Sequence, residues 1–546
     1  MTRTPVNAQR RRLVIGSAAT ATAAALPATL IARSSFAQQA PAVIASESSR
    51  PSLVYGLQFG DPRLNKPGAY ALADSANVIA WTRADRDSRL QVEWSLDENF
   101  ASVHRLPPLY LTGSSDYTGR IDLGGLPGGQ RVFVRMSASN LDSARAGSEV
   151  ITGSVITPSH LPRNIRFVWG GDTAGQGWGI SPNQGGMLTY QTMLAQQPQF
   201  FIHSGDTVYA DGPIAPEKAM PDGQIWQNIV TEQTMKVAES LEEFRARYRY
   251  NLMDEHVRRF NHEVPQIWQW DDHEITNNWS DSKDLSGNTN YTEKRVALLT
   301  ARGAQAFREY APMRSYGDAE PARVYRHIPQ GPLLDVFMID MRSYRGPNSD
   351  NLQSTYDEAS FILGPTQIDW IKRSLKRSSA TWKVIGSDMP IGLQIGDGQG
   401  ANGVARWEAV ANGDPGRPLG REAEIADLLA YIRREGIRNV VWLTADVHYC
   451  AAHHYSPARA SFKDFDPFWE FVAGPLHAGG FGPNKIDDTF GPDVVFVKGP
   501  AVQNEPPSDT NQFFGQVDID AQSGMMLVSL IDRGGSAVFT KQLTPA

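Results

Sequence analysis

From Pro51 to about Pro158, apolar and polar positions alternate in short runs separated by turn residues. Residues 78–82, 90–94, 119–123 and 130–136 carry this period of two most clearly. Alternation at that period places one face of a strand on a core and the other in water. The stretch therefore predicts an antiparallel β-sandwich of about seven strands, immunoglobulin- or fibronectin-like. Its span is 51–160, and as far as Pro158 its one histidine is His104, so a packing or accessory role is expected of it.

After Arg163 the rhythm becomes strand, loop, helix. Apolar runs occur at 165–169, 200–203, 266–270, 334–339, 382–385, 440–443 and 470–473. Helical punctuation lies between them. Ser240-Leu241-Glu242-Glu243 is a capping box and Pro365 suits a first helical turn. Ile425, Leu428, Leu429 and Ile432 form one apolar face that stops at Gly436. The segment 161–546 reads as α/β and includes the C-terminal strands.

The polar residues that end these runs carry the candidate chemistry. Gly171-Asp172 follows the first run, Gly205-Asp206 the second, Asp271-Asp272-His273-Glu274 the third and Asp446-Val447-His448 the sixth. Two further runs end at Asp340-Met341-Arg342-Ser343-Tyr344-Arg345 and at Ser387-Asp388. In open α/β sheets ligands bind beyond the carboxyl ends of the strands, so these groups are expected on one rim. Carboxylates and imidazoles without a cysteine cluster suit hard cations more than a thiolate zinc site. Two cations ~3.5–4 Å apart polarise a phosphoryl oxygen and lower the pKa of water, which requires a bridging carboxylate. Asp206, in a tight Gly-Asp turn, is the expected bridge.

Charge and the N-terminus alter this picture in two ways. The chain has 546 residues, 20% of them charged, and a formal net charge of −7. The first 37 residues hold five arginines (Arg3, Arg10, Arg11, Arg12 and Arg33) and no acid, leaving −12 on the remainder. So acidic a body excludes general nucleic-acid binding. Arg10-Arg11-Arg12-Leu13-Val14, an Ala-rich stretch over 13–32 and Ser35-Phe36-Ala37 read as a twin-arginine export signal. Cleavage is expected after Ala37, followed by a linker over 38–50. The protein is then periplasmic or secreted, has the twin-arginine (Tat) export machinery as a partner, and has no membrane span after cleavage. Its one cysteine, Cys450, allows no intrachain disulfide.

Gly205-Asp206-Thr207-Val208-Tyr209-Ala210-Asp211 resembles the second signature of the binuclear metallophosphoesterases, in its tyrosine-bearing version. Trp270-Asp271-Asp272-His273-Glu274 with Asn277-Asn278-Trp279, Asp340 to Arg345, Ala445-Asp446-Val447-His448 and Ala473-Gly474-Pro475-Leu476-His477-Ala478-Gly479 resemble the PhoD-type alkaline phosphatases specifically. The resemblance spans nearly the whole chain and implies, for 161–546, a β-sandwich core flanked by helices. It implies that Asp206 bridges, that Tyr209 is the phenolate ligand of a ferric ion, and that Asp272, Asp446 and His448 are ligands. Asp172 fills a ligand slot where the best-known branch has cysteine, so zinc or manganese could replace iron there. The implied cofactors are Fe3+ and Ca2+.

The resemblance also implies that His273 lies beside the substrate without ligating metal. As catalytic groups His273 and Arg345 are expected to stabilise the developing charge and His273 to protonate the leaving oxygen, with Asn278 and Arg345 as phosphate contacts. Asp271 and Glu274 are expected to orient ligands, and Asp388 is a weaker candidate. The expected activity is alkaline hydrolysis of phosphomonoesters, phosphodiesters or both, on small-molecule or lipid-head-group phosphates. A phospholipase-D-like or purple-acid-like phosphodiesterase is the alternative on the same scaffold, and a non-catalytic exported binding protein the remote one. Specificity is expected in the loops 211–234 and 396–418.

Overall fold

The computed structural model describes residues 50–546, apart from 66–74, 144–145, 318–319, 401 and 509. The export signal and residues 38–49 of the linker lie outside the described residues.

Two mixed sheets face each other. The first runs in the order Ala537–Leu543, Met526–Asp532, Phe513–Ile519, Ile165–Gly170, Phe200–His203, Gln266–Trp268, Gln58–Leu64, Ser75–Arg83 and Thr118–Pro127. The second runs Arg326–Pro329, Leu334–Met338, Trp382–Gly386, Val440–Thr444, Phe468–Val472, Cys450–Tyr455 and Pro492–Lys498. Phe167, Trp169, Ile202 and Val517 of the first sheet share one buried core with Val336, Val384, Val441 and Phe471 of the second.

Helices cover the outer faces, which is why the inner strands are apolar at almost every position rather than alternating. Leu334–Met338 and Trp382–Gly386 are buried throughout. Helices α1 (Leu188–Ala195), α2 (Leu241–Asn251), α3 (Glu255–Glu263) and α4 (Val296–Tyr310) pack Met193, Phe244, Phe260 and Phe307 against Val168, Phe201 and Trp268. On the other side α5 (Gly364–Arg377) and α6 (Glu422–Arg434) pack Ile368, Ile371, Ile425 and Leu428 against Phe337, Ile385 and Trp442. Ser240 caps α2, its hydroxyl accepting from Glu243 N at 3.3 Å while Glu243 Oε2 accepts from Ser240 N at 2.8 Å. Pro365 occupies the first turn of α5.

The N-terminal strands form a sandwich whose first layer is not closed off. Ser88–Ser95, Arg131–Asn140 and Ile151–Ile156, with two shorter strands, pack over Gln58–Leu64, Ser75–Arg83 and Thr118–Pro127 around Phe59, Val78, Val92 and Val134. That inner layer continues the nine-stranded sheet, because Gly60 pairs in parallel with Gln266. A buried ion pair, Arg326 Nη2 to Asp61 Oδ1 at 2.8 Å, ties the same strand to the second sheet. Hydrogen bonding thus runs across the position near 160 where the sequence rhythm changes.

Strands 165–170, 200–203 and 266–268 are adjacent and parallel, and 440–444 is parallel to both its neighbours in the facing sheet. Their carboxyl ends therefore meet at one edge of the sandwich.

Candidate active site

Four of the six expected ligands sit in left-handed turns after their strands. Asp172 has φ 71°, Asp206 52°, Asp446 67° and His448 60°. Asp and His tolerate this region better than most residues, yet each instance costs about 1 kcal/mol or more and persists only where the surroundings enforce it. Close packing of the turns supplies that enforcement. A Cβ on Gly205 (φ 118°) would lie 2.5 Å from Asp271 Cβ, and one on Gly171 would lie 2.9 Å from Ala445 Cβ. The buried Glu274 carboxylate then stitches two turns together. It accepts from Thr207 N and Oγ1, each at 2.6 Å, from Asp271 N at 2.8 Å and from Asp206 N at 3.3 Å.

Three groups of ligand atoms result, each within 4.8 Å: Asp172, Asp206 and His448; Asp206, Asp272 and His273; Asp271, Asp272 and Asp446. Asp206 is common to the first two, as a bridging carboxylate would be. The Tyr209 hydroxyl lies 2.8 Å from His448 Nε2, which is 3.5 Å from Asp172 Oδ1. His448 Nδ1 is 2.5 Å from Gly479 O, and donation there leaves Nε2 as the ligating nitrogen.

The fit to cations rests on orphaned oxygens. Both carboxylate oxygens of Asp172 and Oδ1 of Asp272 are buried without a hydrogen-bond donor. A buried carboxylate without a partner is costly enough that native sites pair it or give it a metal. Five carboxylates and two imidazoles make these groups oxygen-rich, which suits hard cations.

Electrostatics agree. Burial, reinforced by neighbouring carboxylates, pushes Asp172, Asp206 and Asp446 well above the usual carboxylate range. Burial also opposes ionisation of Asp272, but His273, Arg342 and the Asn278 N–H outweigh it and hold that carboxyl below its ordinary value. Burial alone would lower His273, whereas Asp211, Asp272 and Asp206 raise it well above an ordinary imidazole. His448 is pushed down to about 4 by burial, which keeps it neutral. Burial and then Asp206 and Asp172 raise the Tyr209 phenol.

The cleft at this edge measures about 470 Å3 and is lined by Asp206, Tyr209, Asp272, His273, Asn278, Asp446 and His448, together with Gln176, Asp211, Glu408 and Phe481. Asn278 reaches it, but its side-chain amide donates to Asp397 Oδ1 at 2.9 Å and Gly396 O at 3.3 Å. Arg345 differs from expectation. It is 4% exposed, absent from the cleft wall, and donates through Nη2 to Asn348 Oδ1 at 3.0 Å and to Glu408 O. The Asp340 to Arg345 turn directs its side chain into the protein beside Arg342, where Nη2 supports the Glu408 loop and Nε and Nη1 have no hydrogen-bond partner. Asp388 pairs with buried Arg342 at 3.0 Å.

The sequence reading did not single out Asp211, whose Oδ1 lies 2.7 Å from His273 Nδ1 and whose Oδ2 accepts from Asn277 N at 2.7 Å. Its place at the end of the Gly205 to Asp211 motif was the available signal. Glu408 and Gln176 carried none.

Comparison with known proteins places this geometry. The profile of the PhoD-like phosphatases matches residues 167–530, and that of the PhoD-like phosphatase N-terminal domain matches residues 38–158. Alkaline phosphatase D of Bacillus subtilis (strain 168) is 24% identical over 477 residues, covering 82% of this chain and 73% of its own. Among solved structures, PhoD aligns with a TM-score of 0.64 at 19% identity, covering 91% of this chain and 93% of that one. The purple acid phosphatase PPD1 from yellow lupin (Lupinus luteus) seeds aligns at 0.53 and 11% identity, covering 91% and 74%. These two structures share the fold of facing mixed sheets with few helices. With a profile that covers more than half its length, the chain belongs to the PhoD-like phosphatase family and is a phosphoric-ester hydrolase.

Proposed function

We propose that this enzyme is an exported, metal-dependent hydrolase of phosphomonoesters, phosphodiesters or both, active at alkaline pH. The observation that carries the metal dependence is the buried Asp172 carboxylate, whose two oxygens have no donor. In this reading Asp172, Asp206, Tyr209 and His448 hold one cation, and Asp206, Asp272 and Asp446 hold another. Fe3+ at the first position and Ca2+ at the second fit the phenol and the carboxylates, and Zn2+ or Mn2+ fits the first as well. Bound cations supply Lewis acidity toward the phosphoryl oxygens and water acidic enough to be a nucleophile near neutral pH.

The chain's own groups supply the rest. His273 sits on the cleft wall with Nδ1 on Asp211, and its ring lies 4.3 Å from the Tyr209 ring, which fixes its plane. With Nδ1 on Asp211, Nε2 is the nitrogen left to donate a proton to the departing oxygen. Asn278 shapes the floor through its backbone N–H on Asp272 and its amide on Asp397. Phosphate esters of small molecules or lipid head groups are the substrates of this reading, and export uses the twin-arginine route. No helix among the described residues is long and apolar enough to cross a membrane.

The test is p-nitrophenyl phosphate hydrolysis by full-length protein purified without chelator. Activity is lost in EGTA and returns with Ca2+ if the reading holds. Full turnover by calcium-free, EGTA-treated protein would refute it.

A further inference from the structure

Apolar residues meet the cleft beside its acidic ligands. Ile395, Val447 and Phe481 all line it. Val447 is buried in a small apolar cluster, against which half-buried Ile395 packs. The half-buried Phe481 ring stands edge to face with the His448 ring at 5.4 Å, and Phe481 N donates to His448 O at 3.1 Å. Hydrogen bonds hold the two loops that carry Ile395 and Phe481 to each other and to the body. Gln394 N donates to Lys485 O at 2.9 Å, Asn484 Nδ2 to Gln394 O at 3.2 Å, and Gly480 N to Glu505 O at 3.0 Å. This strip of wall is therefore built before any substrate arrives.

The charge of the wall is as telling as its apolar strip. Among the described residues that line the cleft, none is a lysine or an arginine. Outside the expected ligands its charged side chains are His273, paired with Asp211 at 2.7 Å, and Glu408, paired with buried Arg342. Lys283 and Arg406 face Asp397, which also takes the Asn278 amide, at 3.8 and 3.9 Å.

We propose that Phe481, with Ile395 and Val447, selects phosphate esters whose arm beyond the phosphoryl group is apolar and uncharged, against esters that carry a second anionic group. This inference rests on the metal-dependent reading above, which sets the phosphoryl group over the ligands. The arm then lies along the strip beside His448. An apolar arm leaves water there without stranding a polar group, and an aromatic one meets the Phe481 ring as aromatic pairs do. An anionic arm gives up its water, finds no free cation on the wall and is opposed by Asp211 and Glu408.

The test is kcat/KM of full-length protein, purified without chelator, on 2-naphthyl phosphate and 4-carboxyphenyl phosphate, esters of phenols of similar acidity. Wild type, Phe481→Ala, Phe481→Leu, Phe481→Lys and Ile395→Lys are compared. The wild type favours the naphthyl ester by at least about 10-fold, and Phe481→Ala cuts that ratio by about 10-fold, the scale on which pocket contacts discriminate apolar groups. Phe481→Leu keeps most of the preference, and Phe481→Lys and Ile395→Lys move it toward the carboxylate. A wild type that treats the two esters alike overturns the proposal, and so does an unchanged ratio in a folded Phe481→Ala. Where the Phe481 variants do not fold, an unchanged ratio in Ile395→Lys, on the other loop, counts equally against it. Full turnover of both esters in EGTA refutes the metal-dependent reading itself, whereas calcium-dependent turnover without a naphthyl preference refutes only the selection.

Discussion

His273 shows how a single side chain's role follows from its contacts. Asp211 holds Nδ1 at 2.7 Å, and the Asp206 and Asp272 carboxylates bias the ring toward its cationic form. A group so held is ready to donate a proton, and removing it affects chemistry more than metal retention. His273→Ala is expected to lower turnover by roughly 10²–10⁴, the range for a general acid, with metal content intact by elemental analysis. Loss of both metals would make it a ligand. The residue type and its place after a strand were readable from sequence, and so was the Gly-Asp turn at Asp206. Asp211 and Glu408 were not, because their roles come from contacts 62 and 66 positions away that no local pattern encodes. The direction of the Arg345 side chain was not legible for the same reason. A guanidinium near a phosphate site suggests phosphate binding, but its direction is set by Asn348 and the Glu408 loop.

Turns at strand ends do the positioning at the scale of elements. The strands themselves were legible as apolar runs, and capping at Ser240 and Pro365 marked the helices. What the pattern lacked was pairing. The alternation over 51–160 predicted a sandwich but not that Gln58–Leu64 would pair with Gln266–Trp268 and extend the central sheet. Alternation reports which face is buried and nothing about the neighbour along the sheet. Glu274 binds the two ligand turns through four hydrogen bonds, so its charge sets how firmly Asp206 and Asp272 are presented. Glu274→Gln keeps the size and loses half the acceptor capacity. It is expected to weaken metal affinity by roughly 10–100-fold while far-ultraviolet circular dichroism stays unchanged, as for groups that orient ligands. Wild-type affinity in that variant would make Glu274 merely structural.

Taken whole, the molecule buries a set of acids that its cations must neutralise, and stability should report it. In the absence of cations, burial raises Asp172, Asp206 and Asp446, and the Asp211 contact with its neighbours raises His273 against burial. Each of these groups binds more protons folded than unfolded above its unfolded pKa, so each loses stability as pH rises. His448, lowered to about 4, works the other way only below about pH 6.5. Chelator-treated protein is therefore expected to melt at lower temperature at about pH 9 than at about pH 7, with a smaller change in the metal-loaded form. Equal shifts in both forms would mean that the acids are not where the cations bind. The most direct test of the account is metal content and p-nitrophenyl phosphate turnover measured on the same samples of wild type and Asp172→Asn. The variant is expected to retain about one cation fewer per chain and to lose turnover by at least about 10²-fold, since a neutral amide cannot replace a buried carboxylate whose two oxygens are both unpartnered. A folded Asp172→Asn with the wild-type metal content and wild-type turnover would contradict it.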